Sequence, residues 1–248
     1  DSDGKWVAEK VPLKNLTFAE MQTYDVGKIK PGSRAAKRFA KQVAVDGTRI
    51  PSLDQVFELV KKAKNETVRF NIETKINPLK PDGTVGPDEF AKSVLAVVSK
   101  HGMEKRVSIQ SFDWRTLQAV QKANPNIETV YLTAQQDWLN NVRSDAGSVS
   151  KWTAGFNLDN HDGSVPKLVK AAGGNVWSPF FRDLDATKVK EAQRLGLKVV
   201  PWTVNDEKAM VALIKQGVDG IISDYPDVLR EVMEQQGLPL PKSTAVDP

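Results

Sequence analysis

Phe70-Asn71-Ile72-Glu73-Thr74-Lys75 has the texture of a buried strand that ends in a carboxylate and an amine two residues apart. Side chains alternate along a strand, so Glu73 and Lys75 point to one side and Ile72 and Thr74 to the other. Charged residues are depleted from strands and are rarely buried unless paired or ligated. The pair is therefore either a Glu–Lys contact on a solvated strand end or a strand end that carries chemistry.

The same strand-then-helix texture repeats downstream. Pro51-Ser52 caps a helix with Leu53, Val56, Phe57 and Val60 at helical spacing. After the strand at Val68–Lys75, a Pro/Gly-rich loop covers Asn77 to Gly86, and Pro87 opens a helix with Phe90, Val94, Val97 and Val98, closed by Gly102. Val107–Phe112 reads as a strand, with Asp113 capping a helix that carries Leu117 and Val120. Thr129–Thr133 is the next strand, followed by a polar helix or loop to about Ser150, and Gly155–Asp159 reads as a short strand or an inserted loop. A helix at Pro166–Ala172 leads to a strand at Asn175–Phe181, and one at Asp185–Leu195 to a strand at Lys198–Val204. Then come a helix at Asp206–Gln216, a strand at Gly220–Ser223 and a last helix at Pro226–Gln235; the tail from Gly237 is expected to fray.

Strands that alternate with helices every 25 to 35 residues or so predict a parallel sheet with crossover helices. A doubly wound open sheet usually carries a Gly-rich phosphate turn after its first strand, and neither GxGxxG nor GxxxxGK[ST] occurs in the chain. The expectation is an α/β fold of the TIM (β/α)8 barrel type. It forms one domain over residues 1–236, with 237–248 as a C-terminal tail. The pattern supplies six β/α units, or seven if Gly155–Asp159 is a barrel strand, and is absent before residue 50. There the only clear helix signal is the capping box Thr17-Phe18-Ala19-Glu20, with a basic turn at Gly27–Ser33 and a polar, irregular stretch from Arg34 to Arg49. The first two units are therefore expected to be missing from this chain.

With 248 residues, a net charge of +4 and a pI near 9.1, the chain suits an anionic small-molecule partner. Its charges alternate in sign along most helices, unlike the clustered Lys and Arg of nucleic-acid binders. No apolar run reaches the roughly 18 residues of a membrane span. There is no cysteine, which excludes disulfides and thiolate metal sites, and two histidines, His101 and His161, are too few for an ordinary zinc site. The oligomeric state is left open.

Barrel active sites lie at the C-terminal ends of the strands. Those ends carry Glu73 and Lys75; Gln110, Ser111 and Phe112; Thr133; Trp177, Ser178, Phe180 and Phe181; Trp202, Thr203 and Asn205; and Asp224 and Tyr225. Glu73 suits a hard divalent cation, Mg²⁺ or Ca²⁺, which takes oxygen ligands, but one carboxylate is not a complete site. Lys75 suits a phosphate oxygen, or a Schiff base if desolvated. His101, at a helix C-terminus, complements the helix dipole, and His161 lies in a polar turn. Trp152 reads as packing rather than a ligand contact.

At these residues the chain resembles the glycerophosphodiester phosphodiesterase family. Leu16-Thr17-Phe18-Ala19-Glu20 with Tyr24-Asp25-Val26-Gly27 is similar to the family's linker after its second strand, and Arg49-Ile50-Pro51-Ser52-Leu53 to its lead-in to the next helix. Asn71-Ile72-Glu73-Thr74-Lys75 is similar to the N-I-E-x-K strand, and Ser108-Ile109-Gln110-Ser111-Phe112-Asp113 to the next strand end. Pro201-Trp202-Thr203-Val204-Asn205-Asp206 resembles the W-T-V-N signature, and Asp219–Pro226 resembles D-G-I-I-[ST]-D-x-P. The resemblance implies a barrel of the bacterial long form that hydrolyses glycerophosphodiesters to sn-glycerol 3-phosphate and an alcohol, in lipid and glycerol metabolism. Such long forms are often periplasmic or secreted. It implies Glu73 as one of three metal carboxylates and Lys75 as a phosphate contact. Trp202 would line the glycerol pocket, and Gln110 and Asn205 would bind substrate. The family's acid/base histidines, in an H-R-G motif and an H-D motif, have no counterpart here, nor have the other two metal carboxylates. A non-catalytic binding or interaction protein on a degraded barrel is the alternative. An aldolase acting through Lys75 would leave Glu73 unexplained.

Overall fold

The computed structural model describes residues 4–7, 11–143 and 149–246, which form two compact units, 1–62 and 63–248. In the first unit, α1 (Phe18–Met21) opens with the expected capping box. The Glu20 N–H donates to Thr17 Oγ1 at 3.2 Å, and the Thr17 N–H to Glu20 Oε2 at 2.7 Å. The polar stretch after Gly32 contains a short helix, α2 (Arg34–Arg38), that the pattern did not predict; Ser33 caps it by accepting from Ala36 N–H at 3.1 Å. α3 (Leu53–Lys62) begins after Ser52, whose Oγ accepts from Gln55 N–H at 3.2 Å. Asp25 accepts from Gly27 and Gly47 N–H at 2.9 and 2.7 Å, and Val26 N–H donates to the Thr48 carbonyl at 2.9 Å. Gly27 has no room for a side chain, since a Cβ there would lie 1.8 Å from the Val45 carbonyl oxygen.

The second unit holds a parallel five-stranded sheet: β1 (Phe70–Glu73), β2 (Val107–Ser111), β3 (Glu128–Thr133), β6 (Val176–Pro179) and β7 (Lys198–Val199). Two further short strands, β4 (Gln135–Gln136) and β5 (Leu139–Asn140), pair antiparallel as a hairpin after β3. The strand expected at Lys198–Val204 pairs formally over two residues and continues through a bridge between Phe180 and Trp202. Residues 219–222 then lie alongside it, with Asp219 N–H on the Val199 carbonyl and Ile222 N–H on the Pro201 carbonyl, both at 2.9 Å. Gly155–Asp159 is not a strand: it is a turn that runs into a 3₁₀ helix at Leu158–His161.

Strand order follows chain order throughout, β1-β2-β3-β6-β7. A doubly wound sheet reverses order at a switch point; here no reversal occurs, and helices alternate with the strands, α5 (Trp114–Ala123) packing on β2 and β3 and α7 (Ala186–Arg194) on β7. These helices are α4 (Pro87–Lys100), α5 (Trp114–Ala123), α6 (Val165–Ala171), α7 (Ala186–Arg194), α8 (Glu207–Gln216) and α9 (Pro226–Gln235). The helix-facing side of the sheet is the core, with Ile109, Tyr131, Trp177 and Val199 all buried. Trp177 donates its indole N–H to Thr133 Oγ1 at 2.9 Å, which makes it a packing residue. A second cluster of Val204, Met210, Leu213 and Val232 joins α8 to α9. The tail is tied rather than frayed at two points. Arg230 donates to the Pro241 carbonyl at 3.2 Å, and Asn65 Nδ2 to Thr244 Oγ1 at 2.8 Å.

Candidate active site

Ser111, Thr133 and Trp177 lie on the helix side of the sheet, whereas the face opposite the helices carries Glu73 and Gln110. Asn71 and Glu73 alternate onto it from β1, and parallel register sets Asn71 beside Ser108 and Glu73 beside Gln110. Asn71 Nδ2 donates to Gln110 Oε1 at 2.6 Å, and Ser108 Oγ donates to Asn71 Oδ1 at 3.0 Å. This chain of polar contacts fixes the Gln110 amide next to Glu73. The backbone around Glu73 is held from the other face: Thr74 N–H donates to the Gln110 carbonyl at 2.9 Å and Ser111 Oγ to the Thr74 carbonyl at 2.7 Å.

Glu73 is the site's electrostatic anomaly. Its Oε1 is buried and has no hydrogen-bond partner among the described residues. Burial pushes its carboxyl above the ordinary value of 4.5, and the Lys75 ammonium pulls part of the way back. A buried carboxylate oxygen without a donor is costly unless something positive satisfies it. Glu73 therefore fits as one oxygen ligand of a hard cation. It does not complete such a site: among the described residues, no group of three His, Asp or Glu could hold a metal. Lys75 lies just beyond the end of β1, in a turn where Ile76 N–H donates to the Thr74 carbonyl at 3.1 Å, and is exposed to solvent.

Trp202 lies among aromatic rings. Phe112 meets it edge-on at 5.1 Å between centroids, Phe180 lies at 5.4 Å and Trp138 at 6.1 Å. Its indole N–H donates to the Ser178 carbonyl at 2.9 Å and is therefore already used inside the protein, while the residue stays partly exposed. Asn205 is engaged inside the protein. Its Nδ2 donates to Asp224 Oδ2 at 2.8 Å, while its Oδ1 accepts from Asp224 N–H at 2.9 Å and Ser223 Oγ at 3.2 Å. The structure thus brings Glu73 and Gln110 together, puts Trp202 in an aromatic cluster, and gives Asn205 a clamp between two strand ends. His101 caps the C-terminal end of α4, and His161 closes the 3₁₀ helix before α6.

Sequence reading missed Trp138. It stands in the loop of the β4–β5 hairpin and meets Phe180 edge-on at 5.3 Å. The one signal available was a tryptophan inside the polar run Gln135-Gln136-Asp137-Trp138-Leu139-Asn140.

A one-directional parallel sheet with helices on one face and polar groups at its strand ends defines a (β/α) barrel-type enzyme fold. Comparison with known proteins narrows this. Residues 2–228 match the model of the Glycerophosphoryl diester phosphodiesterase family, and the chain belongs to that family. A glycerophosphodiester phosphodiesterase from Caldanaerobacter subterraneus subsp. tengcongensis is 27% identical over 225 residues, covering 91% of this chain and 74% of that relative. One from Bacillus subtilis is 28% identical over 223 residues, covering 89% of this chain and 65% of the relative. The crystal structure of a protein described as of the glycerophosphoryl diester phosphodiesterase type, from Silicibacter pomeroyi DSS-3, superposes with a TM-score of 0.81 at 28% identity. It covers 97% of this chain and 76% of its own. An Oleispira antarctica phosphodiesterase solved with the product sn-glycerol-3-phosphate shares the fold at a TM-score of 0.55 and 19% identity, over 75% of this chain and 62% of its own.

Proposed function

We propose that this protein hydrolyses glycerophosphodiesters to sn-glycerol 3-phosphate and an alcohol with the aid of a divalent cation, and so feeds lipid and glycerol metabolism. The observation that carries the reading is the buried, unpartnered Glu73 Oε1 at a strand end, in a chain of this family. A cation of the Mg²⁺ or Ca²⁺ class would polarise a phosphoryl oxygen. Glu73 would supply one of its ligands, and Lys75 would offset the phosphate charge from the adjoining position. Gln110, held by Asn71, would offer its amide to the substrate beside Glu73, and the Trp202 face would pack against the carbon skeleton of the glycerol. Asn205 acts on this site by holding the strand ends at Ser223 and Asp224. A periplasmic or secreted location goes with the family's long forms and is tested by cell fractionation.

The decisive experiment is release of sn-glycerol 3-phosphate from a glycerophosphodiester, read with a coupled dehydrogenase, in Mg²⁺ and in Ca²⁺. Release that depends on cation and is lost in Glu73→Gln is expected. No release with either cation removes the reading and favours a non-catalytic binding protein.

A further inference from the structure

Trp138 is 60% exposed, yet it is firmly held. Its ring lies nearly perpendicular to Phe180 (85°) and to Trp202 (83°). The hairpin beneath it is fastened at its base. Gln135 N–H and Gln136 Nε2 donate to the two oxygens of Asp183, at 2.8 and 2.5 Å. Asn141 accepts from Ala134 N–H at 2.8 Å and donates from Nδ2 to the Leu132 carbonyl at 2.9 Å. Ser150 Oγ donates to the Asn141 carbonyl at 2.7 Å. A large ring kept open to water on a braced support has already lost the freedom that binding would otherwise cost it.

We propose that Trp138 is the specificity-determining wall for the leaving alcohol of the diester, and that its solvent-exposed ring favours an alcohol ending in a methylated ammonium over a polyhydroxy one. This rests on the hydrolase reading above. Trp138 lies on the strand-end side, beside the Trp202 ring that the same reading assigns to the glycerol half, so the other half of a diester falls within its reach. A quaternary ammonium is weakly hydrated and is drawn to an indole face, whereas a polyol gains little there. The charged residues nearby are of both signs. The hollow beside the hairpin is lined by Asp137, Lys151 and Arg143 among others, and Arg143 is tied to Asp159 at 2.9 Å. Asp137 and Lys151 bring one charge of each sign to the same hollow, so it has no net bias for a cationic or a neutral alcohol.

The test compares kcat/KM for glycerophosphocholine and glycerophosphoglycerol in the cation-loaded protein. Trp138→Ala is expected to lower the choline-to-glycerol ratio by roughly three- to tenfold, and Trp138→Phe to keep most of it. Asp183→Ala, which retains the ring but frees its support, lowers the same ratio. An unchanged ratio in Trp138→Ala overturns the proposal. Independently of turnover, choline and not glycerol should shift the indole ¹⁵N–¹H signal that Trp138→Phe removes; no shift at tens of millimolar overturns it too. A protein that turns over neither diester but whose Trp138 signal answers to choline fails the hydrolase reading and keeps the wall.

Discussion

Thr74 Oγ1 donates to Thr116 Oγ1 at 3.0 Å, with both residues fully buried, and this bond fastens the end of β1 to the first turn of α5. Thr116 passes the contact on, donating to the Asp113 carbonyl at 2.7 Å. Thr74 directly follows Glu73, the last residue of β1, so the bond holds the backbone from which the Glu73 side chain projects. Thr74→Val keeps the shape and removes the hydroxyl. It is expected to cost about 1 kcal/mol, seen as a lower urea midpoint with an unchanged slope; an unmoved midpoint means that the hydroxyl pair contributes nothing net.

Glu73→Gln keeps the size of the side chain and removes the charge a cation needs. Added Mg²⁺ or Ca²⁺ should raise the melting temperature of the wild-type protein, because a ligand that binds only the folded state stabilises it by mass action. The same addition should leave Glu73→Gln unmoved. Equal shifts in both proteins would take Glu73 out of the cation's coordination.

Asn205 offers a way to separate clamp from substrate contact. Asn205→Ala removes three hydrogen bonds between the Asn205 turn and residues 223–224. The expected loss is about 1–3 kcal/mol of stability, with faster amide exchange at Ser223 and Asp224. An Asn205→Ala protein with wild-type stability and exchange, but a raised KM, would mean that the side chain serves the substrate instead.

Tyr131 gives a pH signature. Its hydroxyl donates to the Ala172 carbonyl at 2.7 Å and accepts from Gln118 and Gln121 at 2.9 and 3.0 Å. Burial pushes the phenol from its ordinary 10.0 up to about 12, with the two glutamines pulling it down. The folded state holds this proton longer than the unfolded one. Its contribution is therefore complete below the unfolded value and is lost as pH rises from about 10 towards 12. Tyr131→Phe should be less stable at neutral pH and should close part of the gap to wild type as denaturation is followed into that alkaline window.

Asp25 acts at the opposite end of the scale. The Gly47 and Gly27 N–H groups hold its carboxyl below the ordinary 3.8. Its stabilisation is present above that value and fades as pH falls through the lowered one. Asp25→Asn should give a flatter acid limb in thermal melts below pH 5 or so; a limb of wild-type steepness would show that Asp25 does not contribute to it.

What could be read from sequence was what is local. Caps at Thr17, Ser52 and Asp113 occur where their side chains satisfy helix N–H groups a few residues on. The parallel strands were visible because burial on the helix side demands apolar residues at alternate positions. α2 escaped because its five residues bury nothing, and the β4–β5 hairpin because two-residue strands have no period. The tether from Asn65 to Thr244 joins positions 179 residues apart, beyond any local signal. At the site, Glu73 and Lys75 stood out as charge where a strand should have none. Asn205 looked the same on paper whether it faced a substrate or Asp224, and its bonds to Ser223 and Asp224 come into view only in the fold.

The strand order has a consequence for how the second unit is made. As the chain leaves the ribosome, each new strand emerges with its partner already in place on one side, so the sheet can be laid down in a single direction with contacts mostly between neighbours in synthesis. Such a sheet grows by whole strand–helix additions at its leading margin, and residues 219–222 join it after β7.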